Sequence, residues 1–142
     1  MRPLFHPILI NGRFGDSGLF VGPMFEKRAV QFDLGDLKAL PARRVLRIAH
    51  VFVSHAHIHH FVGFDALLRV LVCREATVHL YGPSGFIERV GHKLQPYQWN
   101  HADRFLCDLM FMVSEVDAAG SGATAQFRAQ PPSRRAQTHL WQ

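Results

Sequence analysis

The sequence predicts an α/β fold whose sheet contains parallel strands, and three observations predict it. Apolar stretches of strand length come first as a group and then alternate with helix-patterned stretches, in the order β-β-β, then β-α-β-α-β-β. Strand, helix and strand in succession imply right-handed crossovers between parallel neighbours. Of the 142 residues, 48% are apolar and 19% charged, which suits one cored domain and excludes a disordered or fibrous chain. Finally, a run of histidines follows directly on a short β-branched strand, and open α/β sheets form their ligand sites at such strand ends.

The elements are justified in chain order. Leu4 to Asn11 is apolar and rich in Ile and Leu, and reads as a strand. Asn11-Gly12 and Gly15-Asp16-Ser17-Gly18 are turn signals, and a second strand covers Gly18 to Val21. Ala29 to Leu34 alternates, with Val30, Phe32 and Leu34 on one face and Gln31 and Asp33 on the other, until Gly35 ends it. A short helical turn at Leu37 to Leu40 is stopped by Pro41. Ala49 to Ser54 suits a buried strand, and His55 to His60 is the loop after it. Asp65 to Cys73 reads as a helix with Leu67, Leu68, Leu71 and Val72 on one face and Asp65 as its N-cap. Thr77 to Tyr81 is a strand closed by Gly82-Pro83. Ser84 caps the next helix, in which Phe86, Ile87, Val90 and Leu94 share a face. Phe105 to Val116 is apolar on both faces and reads as a buried strand or strand pair, and Ala123 to Ala129 as one more short strand.

Composition narrows the class further. No apolar run approaches the roughly 20 residues needed to cross a bilayer. The start of the chain is too short and too broken by Pro3, Pro7 and Gly12 for a secretory signal. Cys73 and Cys107 cannot make a disulfide framework and read as buried thiols in a reducing cytoplasm. The formal charge is +5 at pH 7, so the expectation is a soluble, cytoplasmic, slightly basic protein without a membrane partner. The tail from Pro131 to Gln142 has no acidic residue and reads as frayed, with a basic arm that touches nucleic acid as the alternative.

His55, His57, His59 and His60 place four of the ten histidines within six residues. Alternate residues of an extended segment point the same way, so His55 and His57 can bind one ion while His59 and His60 reach a neighbouring one. The other arrangement is one ion shared by three of the four, with water completing the shell. Neutral imidazole is the commonest metal ligand, and Zn²⁺ accepts it at about 2.0–2.1 Å. The bland alternative is a surface loop that binds nothing. His79 reads as a sheet residue, His92 and His101 as solvated, and His6 and His50 carry no partner signal. His139 lies in the tail.

Three segments carry a resemblance. FDLGD at Phe32 to Asp36 resembles the strand-end Asp and Gly that precede a metal loop. VFVSHAHIHHFVGFDALL at Val51 to Leu68 resembles an HxHxDH signature with its strand before and helix after. LYGPSGF at Leu80 to Phe86 resembles the next strand and turn. Together the span from Phe32 to Trp99 resembles the metallo-β-lactamase fold, ribonuclease Z-like branch. The resemblance implies half of an αββα sandwich, a mixed sheet with helices on one face, over residues 1–117, followed at 118–142 by a short strand and the basic tail. It implies His55 and His57 on a first metal ion, His60 on a second, and Asp33 supporting the loop without ligating. It implies Zn²⁺, two ions in the family with one or none expected here, or Mn²⁺. It also implies a water attacking a phosphodiester, with precursor tRNA or a small phosphodiester as substrate.

Two departures shape the functional expectation. The signature Asp is His59 here, which can hold a metal and is the residue left for the catalytic role, but brings no negative charge. The later His, Asp and His ligands of the family belong to a second half that these 142 residues do not reach. An impaired or inactive tRNA 3′-processing endoribonuclease is therefore expected, and a non-catalytic metal-binding or interaction module is the alternative. The strand Phe105 to Val116, apolar on both faces, would turn one face to the second half, which predicts a homodimer burying that face, a partner chain covering it, or poor solubility as a monomer.

Overall fold

The apolar stretches at the start of the chain pair as a meander before the chain crosses over. A computed structural model describes residues 4–98, 108–120, 122–129 and 138–139. The chain divides into two units, Met1–Val70 and Leu71–Gln142. In the first unit, β1 (Phe5–Leu9), β2 (Leu19–Pro23) and β3 (Ala29–Phe32) pair antiparallel in sequence order. β4 (Ile48–Phe52) then pairs parallel to β3, with Phe32 opposite Phe52. The crossover between them holds α1 (Ala42–Val45), which begins directly after Pro41. The sequence reading has Pro41 stopping a helical turn. The turn at Leu37 to Leu40 is present, but Pro41 also opens a new helix, where its missing N–H costs nothing.

The alternation of β3 holds, but the closed face is the opposite one from that its apolar residues suggest. Gln31 is fully buried, whereas Phe32 is 44% exposed and stacks on Phe52 at 5.5 Å. The Gln31 amide donates to the carbonyls of Phe32 and Asp33, which offsets part of its desolvation. Leu34 is buried after all, because the strand has ended and the backbone turns at Asp33.

α2 (Ile58–Phe61) and α3 (Phe64–Leu71) follow β4. Phe64, Leu67, Leu68 and Leu71 form the buried stripe of α3, while Val72 lies beyond its end and is partly exposed. Asp65 sits inside the first turn rather than at the cap. Cys73 adopts φ +65 just past the helix, a left-handed position usually taken by Gly, and its thiol is exposed. That corrects the expectation of a buried thiol, and Cys107 lies outside the described residues.

In the second unit, β5 (Ala76–Gly82) pairs parallel with β6 (Leu109–Glu115), and β7 (Thr124–Arg128) pairs antiparallel with β6. α4 (Phe86–Leu94) is the crossover and packs on β6 and β7 through Phe86, Val90 and Leu94. Its N-cap is Gly85 in the left-handed region, not Ser84, and the Glu115 carboxylate accepts from the Ile87 N–H at 2.9 Å. Leu109, Phe111 and Val113 are buried, and the alternate Met110 and Met112 are half-buried. Residues Phe105 to Cys107 of the expected strand, and His101, lie outside the described residues. Most of the tail does too, but β8 (Thr138–His139) pairs antiparallel with β7, which the reading of a frayed end did not anticipate. Each unit is thus a mixed α/β arrangement. Among the described residues no helix is long and apolar enough to cross a membrane.

Candidate metal centre

The centre lies wholly in the first unit, at the C-terminal ends of β3 and β4. Val53 stays buried after β4 ends, and Ser54 begins the turn above it. At the end of β3 the Asp33 N–H donates to the Phe52 carbonyl at 2.8 Å. Asp33 has φ +55, a conformation that Asp tolerates better than most residues. Its carboxylate collects donors from three directions. The Ser54 N–H reaches Oδ1 at 2.8 Å, the Ser17 hydroxyl reaches Oδ2 at 2.9 Å, and His60 Nδ1 reaches Oδ2 at 2.8 Å. The Ser54 hydroxyl adds contacts at 2.9 and 3.1 Å.

Backbone bonds clamp the histidine segment onto this corner. The Ser17 N–H donates to the His59 carbonyl at 3.1 Å and the Leu34 N–H to the His60 carbonyl at 2.7 Å. Gly63 N–H returns to the Leu34 carbonyl at 2.8 Å. Two glycines allow the approach. A Cβ on Gly35 would meet the Ser17 and His59 carbonyl oxygens at 2.6 and 2.8 Å, and one on Gly63 would press into the Gly35 carbonyl oxygen.

His55 to His57 run extended, but Ile58 starts a helical turn that includes His59 and His60. Successive helical residues point about 100° apart, so His59 and His60 leave the backbone in different directions although their rings remain 4.3 Å apart. His59 joins His55 and His57, and one nitrogen from each of the three lies within 4.8 Å of the others. His60 turns its Nδ1 to Asp33, with its ring centroid 3.9 Å from that of His55 and 4.3 Å from that of His59. The structure thus brings His55, His57 and His59 within reach of one ion, with His60 beside them. Sequence reasoning missed the helical start because a four-residue turn carries little periodicity. It also missed Ser17 and Ser54, which have no signal beyond a turn cluster and a strand end.

Electrostatics follow from this packing. Burial alone would raise the Asp33 carboxyl, but the Ser54 N–H, His60 and the hydroxyls of Ser54 and Ser17 outweigh it and hold the group below its ordinary 3.8. Desolvation and the neighbouring His60 and His57 push His55 below its ordinary 6.5, favouring the neutral, ligating form. The donor set, three imidazole nitrogens with no carboxylate among them, suits a transition-metal ion. Nitrogens around a tetrahedral ion would stand about 3.4 Å apart, so a grouping as wide as 4.8 Å would have to draw in by up to about 1.4 Å. The exposed side chains of His57 and His59 can supply that by torsion. His6, His50, His79 and His92 lie elsewhere on β1, β4, β5 and α4 and do not join the group.

Comparison with known proteins adds likenesses to this geometry. No family model matches the chain. Over 84 residues it is 38% identical to ribonuclease Z of Deinococcus radiodurans, a match covering 58% of this chain and 25% of that protein. The match thus spans about a quarter of that relative's length. Among solved structures, a metallo-β-lactamase fold protein of Bacillus subtilis, YhfI, aligns with 82% of this chain and 52% of its own at 15% identity and TM-score 0.44. The short form of human tRNase Z aligns over 86% and 55% at 15% identity and TM-score 0.49. A peroxy diiron chemotaxis sensor, ODP, aligns over 97% and 55% at 17% identity and TM-score 0.42.

Proposed function

We infer that this chain, a ribonuclease Z-like protein of the metallo-β-lactamase fold, holds a divalent transition metal ion, Zn²⁺ first, on His55, His57 and His59. The observation that carries the reading is the convergence of those three imidazoles beside the Asp33–His60 pair. The reaction class is phosphodiester hydrolysis, with RNA as the substrate class and the cytoplasm as the place of action. When bound, such an ion polarises a phosphodiester and acidifies water. The chain's own residues prepare the site. Asp33 takes the proton side of His60, which leaves the other ring nitrogen as an acceptor. Ser17 and Ser54 hold the carboxylate in place from two sides. The +5 charge favours a phosphate-rich ligand in general terms.

His59 sets the second reading, a metal-binding module without turnover. It stands where the signature has Asp, so the cluster lacks a negative charge that would accept a proton and tighten the ion. Two measurements separate the readings. Metal content after chelator-free purification should approach one equivalent, and less than about a tenth of an equivalent would sink both. Hydrolysis of bis(p-nitrophenyl)phosphate and of precursor tRNA is then compared with a His55→Ala, His57→Ala double variant. A rate above that control supports hydrolysis. A metal-loaded chain with no such rate supports the second reading, and gain of rate in His59→Asp would locate the defect at that residue.

A further inference from the structure

Ser54 stands where four polar groups meet, and its one hydroxyl proton constrains the protonation of the histidines around it. Its Oγ lies 2.9 Å from Asp33 Oδ1 and 3.1 Å from Oδ2. The same atom is 3.0 Å from His55 Nδ1 and 3.3 Å from His60 Nδ1. An ionised carboxylate only accepts, so each of its partners must bring a proton. His60 therefore carries hydrogen on Nδ1, 2.8 Å from Asp33 Oδ2. Ser54 has a single proton, and the carboxylate is the strongest acceptor within its reach, since charge-assisted bonds are about twice as strong as neutral ones. With that proton directed to Asp33, Ser54 Oγ can meet His55 Nδ1 only as an acceptor. His55 must then hold its own proton on Nδ1 and leave the Nε2 lone pair bare, and metals bind the bare nitrogen.

We propose that Ser54 is a positioning residue that passes the acceptor character of Asp33 on to His55. One carboxylate then sets the Nδ1–H tautomer of two histidines, His60 directly and His55 through the hydroxyl. Both Nε2 lone pairs are left free for a ligand. The effect on metal rests on the metal-binding reading above, whereas the tautomer itself is a property of the metal-free chain.

The test is nitrogen-15 NMR of the assigned histidine rings in the metal-free full chain at about pH 8, where imidazoles are neutral. His55 and His60 should each show a protonated Nδ1 and a bare Nε2. In Ser54→Ala, His55 should become a tautomer mixture while His60, still on Asp33, keeps its pattern. Ser54→Thr keeps a hydroxyl and should restore the His55 pattern. Zinc affinity should fall about 10–100-fold in Ser54→Ala and stay near wild type in Ser54→Thr. A bare Nδ1 at His55 in the wild-type chain overturns the proposal without any variant. So does an unchanged His55 pattern in Ser54→Ala. If the NMR pattern holds and the wild-type chain takes up no zinc, the metal reading fails and the relay through Ser54 stands.

Discussion

Asp33 is the residue on which most of the corner depends, and its chemistry makes a pH prediction. Its folded pKa lies below 3.8, so its stabilising contribution is complete above that value and is lost as pH falls through the lower folded value. His55 is also lowered, from 6.5, and the unfolded chain therefore takes that proton first. Stability should fall as pH drops below about 6.5 until the folded imidazole also titrates. Urea midpoints against pH should thus fall in two separated ranges. Asp33→Ala should lack the more acid one and lose about 1–3 kcal/mol near neutral pH, because His60 Nδ1 and the Ser54 N–H lose their acceptor. A single acid step shared by both proteins would contradict this account. The histidines were legible in the sequence because four imidazoles in six residues are rare by composition. Ser54 was not, since nothing in a lone serine after a strand reveals how many acceptors it faces.

The elements show a similar boundary between what pattern reveals and what packing decides. α4 and the stripe of α3 follow from apolar spacing, and the burial of Phe86, Val90, Leu67 and Leu71 agrees with it. The caps do not follow, because Glu115 reaches the start of α4 from a strand 28 residues away in sequence. The closed face of β3 was not legible either. Gln31 is buried because its amide bonds along its own chain, and Phe32 is left out because it pairs with Phe52. Gly63 makes this scale testable. Its close approach to the Gly35 carbonyl brings the end of α2 against the Asp33 corner, and the obstacle to a Cβ is backbone. Gly63→Ala should cost about 1–3 kcal/mol or more, with the segment of His59 and His60 displaced and metal affinity lowered. Equal thermal stability and equal zinc affinity in the variant would mean the segment moves aside freely.

Across the whole molecule, charge and exposed apolar surface act in opposite directions on assembly. Phe32 and Phe52 form a stacked pair that is 44% and 40% exposed. A buried Phe is worth about 1.5–3 kcal/mol relative to an exposed one, so covering the remaining area of such a pair favours association. In a two-fold dimer the same patch counts on both copies. Each copy also carries +5, and that repulsion weakens as salt screens it. A homodimer through this face should therefore tighten between low and moderate salt, whereas RNA binding should weaken over the same range. Sedimentation at increasing concentration and salt, with and without a short RNA, separates the two effects. Phe32→Ser with Phe52→Ser should leave a monomer that still takes up zinc on His55, His57 and His59, because the nitrogens of that group come from other residues. A wild-type chain that stays monomeric at its highest soluble concentration in moderate salt would rule out the dimer.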